Sequence, residues 1–273
     1  MTESVLISTA NFTKIIGQLK RFPFNLFDTF KGAIYTPWDK STLFQDAAMT
    51  QPVTSVDQRV YVIKDMSGNG FHWIANSEDA RPVYKEVDGK GVVRFTASVT
   101  AEIASHGMTM APAGLGIFSG VSSAIVINAL NLNGIGVSWR YAFRINVQSG
   151  NTQLMAIDTT NGTGKIGLTY KRVHADAIQS SLYSFANKKE VYTFDADYIA
   201  GTMKTYKDQS ELNSQNLAST GALPSGNNNG IYLGNFNSTG YATMDFHGGI
   251  MLAGASGLNA HRTDLESWLI SKI

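Results

Sequence analysis

The sequence predicts an all-β, antiparallel sandwich with an N-terminal helical and aromatic arm and a short C-terminal helix. Three observations point there. Across residues 137–148, Val137, Trp139, Tyr141, Phe143, Ile145 and Val147 alternate with Ser138, Arg140, Arg144, Asn146 and Gln148, the period of a strand with one face in a core. The composition suits many short strands joined by polar turns, with 26 glycines, 11% aromatic residues and only 16% charged residues. Helical spacing, in contrast, concentrates near the two ends of the chain.

At the N-terminal end, Phe12, Ile15, Ile16 and Leu19 fall at i, i+3, i+4 and i+7, with Lys14, Gln18 and Lys20 opposite, and Pro23 ends that helix. An aromatic cluster follows: Phe22, Phe24, Phe27 and Phe30, with Leu26. Such apolar surface either packs on its own sandwich or docks on a partner subunit. The chain accordingly divides into a docking and oligomerisation arm, residues 1–34, and a sandwich, residues 35–273.

The next elements are corners. Asp39 and Ser41 can bond to N–H groups just downstream, so residues 42–48 are expected to form about two helical turns that Pro52 stops. Residues 59–64 read as a strand through Val60, Val62 and Ile63, and Gly68-Asn69-Gly70 then turns the chain sharply. Pro82 forces an extended approach to Val83 and Tyr84.

From residue 92 onward strands dominate. Residues 124–127 are continuously apolar, as expected of a strand covered on both faces. Further strands are expected at 152–158, 165–170, 191–199, 203–207, 230–236 and 243–252, with Ala200-Gly201 as a hairpin turn and 213–230 as an exposed loop. Leu258, Leu265, Trp268 and Leu269 give the last helix an apolar stripe that plugs one edge or end of the sandwich.

Charge and composition exclude several functions. The net charge of +1 comes from 22 basic and 21 acidic residues, so no global field recruits nucleic acid or an anionic membrane. The absence of cysteine removes disulfides, thiolate metal sites and a thiol nucleophile. No apolar run approaches the roughly 18 residues that span a bilayer, and residues 1–10 lack a signal-peptide pattern. Synthesis in the cytoplasm without a signal peptide is therefore expected.

Few residues are arranged for chemistry. Asp65-x-Ser67-x-Asn69-Gly70 copies the first half of a calcium loop, but position twelve is Asn76 instead of glutamate. An ordinary turn, with Asp65, Ser67 and Asn69 bonded to nearby backbone, explains the same residues. Calcium is thus the one candidate cofactor. Asp195 and Asp197 share one strand face, read as solvated, and the chain lacks the tight carboxylate cluster of glucanases that share this architecture. His72, His106, His174, His247 and His261 are isolated, which disfavours zinc. No catalytic residue is assigned. Trp73, Tyr183, Tyr232 and Tyr241 lie near expected loops, where an aromatic ring either packs at an edge or stacks on a sugar.

The runs Leu43-Phe44-Gln45-Asp46-Ala47-Ala48, Pro52-Val53-Thr54, Asp65-Met66-Ser67-Gly68-Asn69-Gly70, Ala80-Arg81-Pro82, Val92-Val93-Arg94-Phe95 and Asp264-Leu265-Glu266-Ser267-Trp268-Leu269 together resemble the concanavalin A-like (laminin-G-type) jelly-roll structural proteins of tailed phages and prophages. The resemblance is specific over residues 38–95 and the last helix, and general between them. It implies a concanavalin A-like jelly-roll sandwich in a virion component that is not an enzyme. The implied role is a tail-associated or fibre-type subunit with a lectin-like domain, contacting other virion proteins and host-surface carbohydrate. The alternatives are a capsid decoration or head fibre binding virion proteins alone and, more weakly, a polysaccharide hydrolase. Homo-oligomers, trimers in particular, are expected by analogy with the family.

Overall fold

The structure, a computed structural model, describes residues 22–96, 106–110, 117–118, 120–132, 140–147, 152–159, 165–170, 179–184, 188–217, 220–221, 230–234 and 242–273. In chain order the strands are β1 (Lys31–Tyr35), β2 (Leu43–Phe44), β3 (Val62–Ile63), β4 (Trp73–Ala75), β5 (Val83–Val87), β6 (Lys90–Phe95), β7 (Met108–Met110), β8 (Ser123–Leu132) and β9 (Arg140–Val147). They continue as β10 (Thr152–Thr159), β11 (Lys165–Tyr170), β12 (Gln179–Ser184), β13 (Lys189–Asp197), β14 (Thr202–Lys207), β15 (Ser210–Asn216), β16 (Gly230–Leu233) and β17 (Met244–Gly254). A single α-helix, α1 (Arg262–Ile270), follows among the described residues.

These strands form two antiparallel sheets, so the all-β sandwich is what the chain adopts. Sheet A runs β15-β14-β13-β8-β17-β6-β5, and sheet B runs β12-β11-β10-β9-β16-β7-β4-β3-β2. The long strand β17 anchors sheet A. One of its edges pairs with β8 from Met244 to Gly254. Its other edge is shared, with β6 from Met244 to Phe246 and β1 from Gly249 to Ala253.

Two apolar layers result. Between the sheets, Tyr35, Trp73, Phe95, Phe143, Phe194 and Phe246 are buried in one continuous core, and Trp73 packs against Tyr35 and Phe143 with ring centroids 5.6 and 6.4 Å apart. A second core lies on the outer face of sheet A, where Ile125, Ile127, Val191, Ile250 and Leu252 meet Leu258, Leu265 and Leu269. Strand β8 serves both layers: Ala124, Val126 and Leu130 face inward, Ile125, Ile127 and Ala129 outward. Its unbroken apolar run follows from that double burial.

The helix α1 therefore lies across the outer face of sheet A, in contact with β8, β13 and β17, and not at an edge or end as its stripe suggested. The sheet's outward apolar side chains require cover, and α1 supplies it. The aromatic cluster joins the same layer. Phe27 is buried, Phe24 meets the Trp268 ring edge-on at 6.2 Å, and Phe30 meets His261 at 6.0 Å. These three rings are engaged with their own chain instead of standing out as a docking arm, while Phe22 remains exposed. Phe12, Ile15, Ile16 and Leu19 lie outside the described residues. The division after residue 34 falls inside β1, whose Ile34 is fully buried.

Other expectations fail for local reasons. Residues 42–48 form no α-helix. Asp39 accepts from Ser41 N to cap a single 3-10 turn, Lys40–Thr42. Leu43 and Phe44 then bond across the chain, to Val53 N and Tyr61 N. The Asp46 carboxylate meanwhile ties back Thr50 N and Gln51 N. Residues 213–216 belong to β15 instead of a loop, because Asp208 and Gln209 take left-handed φ of 47° and 70° and close a two-residue turn from β14. Between β13 and β14, Asp197 pairs with Thr202, so the connection is longer than the expected Ala200-Gly201 turn.

Candidate functional site

The outer face of sheet B groups charged and aromatic side chains at its centre. On β9, Phe143 and Ile145 enter the inter-sheet core, so Arg144 points away from it. On β16, Ile231 and Leu233 point inward and Tyr232 outward, opposite both Arg144 and Thr109. An irregularity in the β9–β10 ladder then pairs Ile157 with Phe143 but Asp158 with Tyr141, leaving Ala142 without a counterpart. That extra residue brings Tyr141, three positions before Arg144, onto the same face.

The result is a cluster of Tyr141, Arg144, Asp158 and Tyr232. Arg144 Cζ stands 4.6 Å from the centroid of the Tyr141 ring, within range for a cation–π contact. Arg144 is 3% exposed and Asp158 1% exposed, whereas both tyrosines are half-buried. Burial lowers the pKa of Arg144, and Tyr141, Tyr232 and Asp158 oppose that shift. Burial likewise raises the pKa of Tyr141. Next to Tyr232, Thr109 Oγ1 donates to Asn76 Oδ1 at 2.6 Å on an exposed margin. The half-buried tyrosine rings and the hydroxyl–amide pair are the groups here that can meet a hydroxylated ring, by stacking and by hydrogen bonding, while buried Arg144 and Asp158 can only position them.

Of the four rings selected from the sequence, Tyr232 alone is seen on this face. Trp73 is fully buried between the sheets and cannot stack on a ligand; its position inside β4 hides it. The side chain of Tyr183 and all of Tyr241 lie outside the described residues.

The Asp65 loop is a backbone clip. Asp65 Oδ1 accepts from Ile34 N at 3.1 Å and Ser67 N at 2.8 Å, and Oδ2 accepts from Phe71 N at 3.1 Å. Ser67 Oγ also lies 2.7 Å from Oδ2, and Asn69 Nδ2 donates to Gly32 O at 2.9 Å. The Asp65 carboxylate is thereby engaged in fastening β1 and the following turn, as the ordinary-turn alternative expects. Among the described residues, no group of three His, Asp or Glu side chains is placed to hold a metal ion.

Asp195 and Asp197 part ways. Asp197 Oδ1 accepts from Ile199 N and Ala200 N in the turn after β13. Asp195 is half-buried, and burial raises its pKa to about 6, against the opposing pull of Arg262 and Lys204. Here a solvated strand face was the wrong expectation. In α1, Arg262 Nη1 binds the fully buried Glu266 at 2.6 Å, and its Cζ sits 3.8 Å above the Tyr206 ring. Of the histidines, His72 Nδ1 accepts from Asp65 N and His106 Nδ1 from Thr96 N. His174 lies outside the described residues.

Sequence reasoning missed Tyr141, Arg144 and Asp158 as a group. Alternation places Arg144 outward, but neither its burial nor the irregularity that recruits Tyr141 leaves a mark in the sequence.

No protein-family model and no curated protein matches the chain. Solved structures do. The binding domain of botulinum neurotoxin serotype G superposes with a TM-score of 0.54 at 14% identity, over 77% of this chain and 48% of that one. The binding domain of Paraclostridial Mosquitocidal Protein 1 gives 0.55 at 12% identity, over 90% and 53%. A botulinum neurotoxin type C structure, described as depending on two ganglioside molecules to get into cells, gives 0.51 at 12% identity, over 91% and 52%. The chain thus spans about half the length of these domains. At such identities the likeness concerns the fold alone.

Proposed function

We propose that the protein is a non-enzymatic, lectin-like binding sandwich of a tailed-phage virion, carried on a tail-associated or fibre-type subunit, and that the outer face of sheet B contacts host-surface carbohydrate. The observation that carries this reading is the placement of half-buried Tyr141 and Tyr232 beside Arg144 and Asp158 on one face. Two things support it further. The similar folds include two named as binding domains and one described with gangliosides. The runs in residues 38–95 and in the last helix resemble virion jelly-roll proteins. Partner virion proteins and self-association belong to the same reading.

The test is calorimetric titration of the full chain with surface polysaccharide from the bacterial host. Saturable binding is expected, weakened about five- to thirtyfold in Tyr232→Ala, since one stacking aromatic contributes about 1–2 kcal/mol. A flat titration of the wild-type protein overturns the glycan reading. Immunogold labelling of intact particles separates tail from head: label at the tail is expected, and label over the capsid replaces the tail assignment with decoration.

A further inference from the structure

The N-terminal end of β17 contains a buried histidine that the binding face does not use. His247 is 4% exposed, and its Nε2 has no hydrogen-bond partner among the described residues. It is the extra residue in the β8–β17 ladder, which jumps from Phe246–Leu130 to Gly248–Ala129. Immediately after it, Gly248 has φ of +152°, and a β-carbon there would lie 2.7 Å from Cζ3 of Trp38 and 3.3 Å from Cδ1 of Leu269. The backbone beside His247 is therefore pressed under Trp38 and the last turn of α1. Trp38 in turn packs on Trp268 at 5.9 Å.

The groups facing His247 come from several elements: Asp245 on its own strand, Arg94 on β6, Lys189 on β13 and Asp88 in the β5–β6 turn. Asp245, the first of these, is already engaged. Arg94 Nε and Nη2 hold its two carboxylate oxygens at 2.6 and 2.8 Å. Across the ladder from Asp245, Asn131 Oδ1 is buried and also without a partner among the described residues. Neutral imidazole fits this setting. An added proton brings a second N–H and a full charge to a buried place whose carboxylate is occupied and whose other neighbours include two cations.

We propose that His247 is an acid-sensitive latch: neutral, it lets the irregular start of β17 close under Trp38 and the end of α1, and protonated, it opens that corner. Protonation is linked to opening because burial pushes the closed-state imidazole down to about 4, below its ordinary 6.5. The open, hydrated form binds the proton more tightly. Closure is at full strength above pH 6.5 and is lost as pH falls toward 4. At pH 5 the difference favours opening by about thirtyfold relative to pH 7.5.

Hydrogen exchange of the full chain at pH 7.5 and 5.0, corrected for intrinsic rates, tests this. Residues 244–249 are expected to lose about thirtyfold protection at the lower pH, while His247→Phe, which keeps a buried ring without a titrating group, loses none of that protection. Equal responses in the two proteins, or no loss in the wild type, overturn the latch. Should the variant fail to fold, the imidazole resonances of wild-type His247 decide: absence of titration above about pH 5 supports the latch, and titration near 6.5 rejects it.

Discussion

The outer faces of the two sheets are built for opposite ends. Sheet A turns Ile125, Ile127, Val191, Ile250 and Leu252 outward and hides them under α1 and the aromatic segment before β1. Sheet B turns Tyr141, Arg144, Asp158 and Tyr232 outward instead. The same ladder geometry thus produces a second apolar core on one side and a polar, aromatic layer on the other. What decides between them is which residues occupy the positions that alternate away from the shared core.

If that contrast is right, its largest signature is in stability. Leu265 is fully buried in the sheet A layer, and Leu265→Ala should cost about 2–5 kcal/mol in chemical unfolding. Tyr232→Ala should reduce carbohydrate binding with a much smaller loss of stability. Equal losses from both substitutions would erase the distinction between a structural and a binding face.

A smaller effect comes from the charged border of the covered face. Burial raises the pKa of Asp195 to about 6, so the folded state holds its proton more tightly than the unfolded chain does. Its carboxylate opposes folding at neutral pH, and that penalty is relieved as pH falls through 6 toward the ordinary carboxylate range. Asp195→Asn should therefore stabilise the protein by about 1–2 kcal/mol at pH 8, with the gain gone near pH 4. Thermal unfolding at the two pH values measures the difference, and a gain independent of pH would refute the assignment.

The smallest expected effect is that of metal removal. With Asp65 committed to Ile34 N, Ser67 N and Phe71 N, EDTA should leave the melting temperature within about 1 °C, below what 1 kcal/mol would shift. A larger drop reversed by added calcium would return the loop to a metal role.

Much of the sandwich is legible in the order of its amino acids. The apolar run of β8, the alternation of β9 and the stripe of α1 each report burial directly, because burial of regular elements repeats at a fixed period. What fails is what depends on partners far away in the chain. Residues 42–48 look helical from their own chemistry, yet Leu43 and Phe44 find their hydrogen bonds on Val53 and Tyr61. Trp73 stands beside a glycine turn and reads as exposed, but β4 carries it into the core. Of the cluster on sheet B, only Tyr232 was identifiable. Tyr141 joins it through a ladder irregularity that becomes visible only when two strands are laid side by side.

The pairing of β17 sets a schedule for the chain's synthesis. Lys31, in the first of the described strands, pairs in register with Ala253, in the last, while β6 waits on the same edge for Met244 to Phe246. No nascent chain can complete sheet A until its final strand has left the ribosome, so β1 and β6 emerge early with their future edge partner still unmade. Contacts this distant in sequence favour slow folding and prolonged exposure of unpaired edges. A chain cut short before β17 would leave β1, β6 and β8 without the strand that joins them, and a ribosome that stalls there would present a prime target for chaperones.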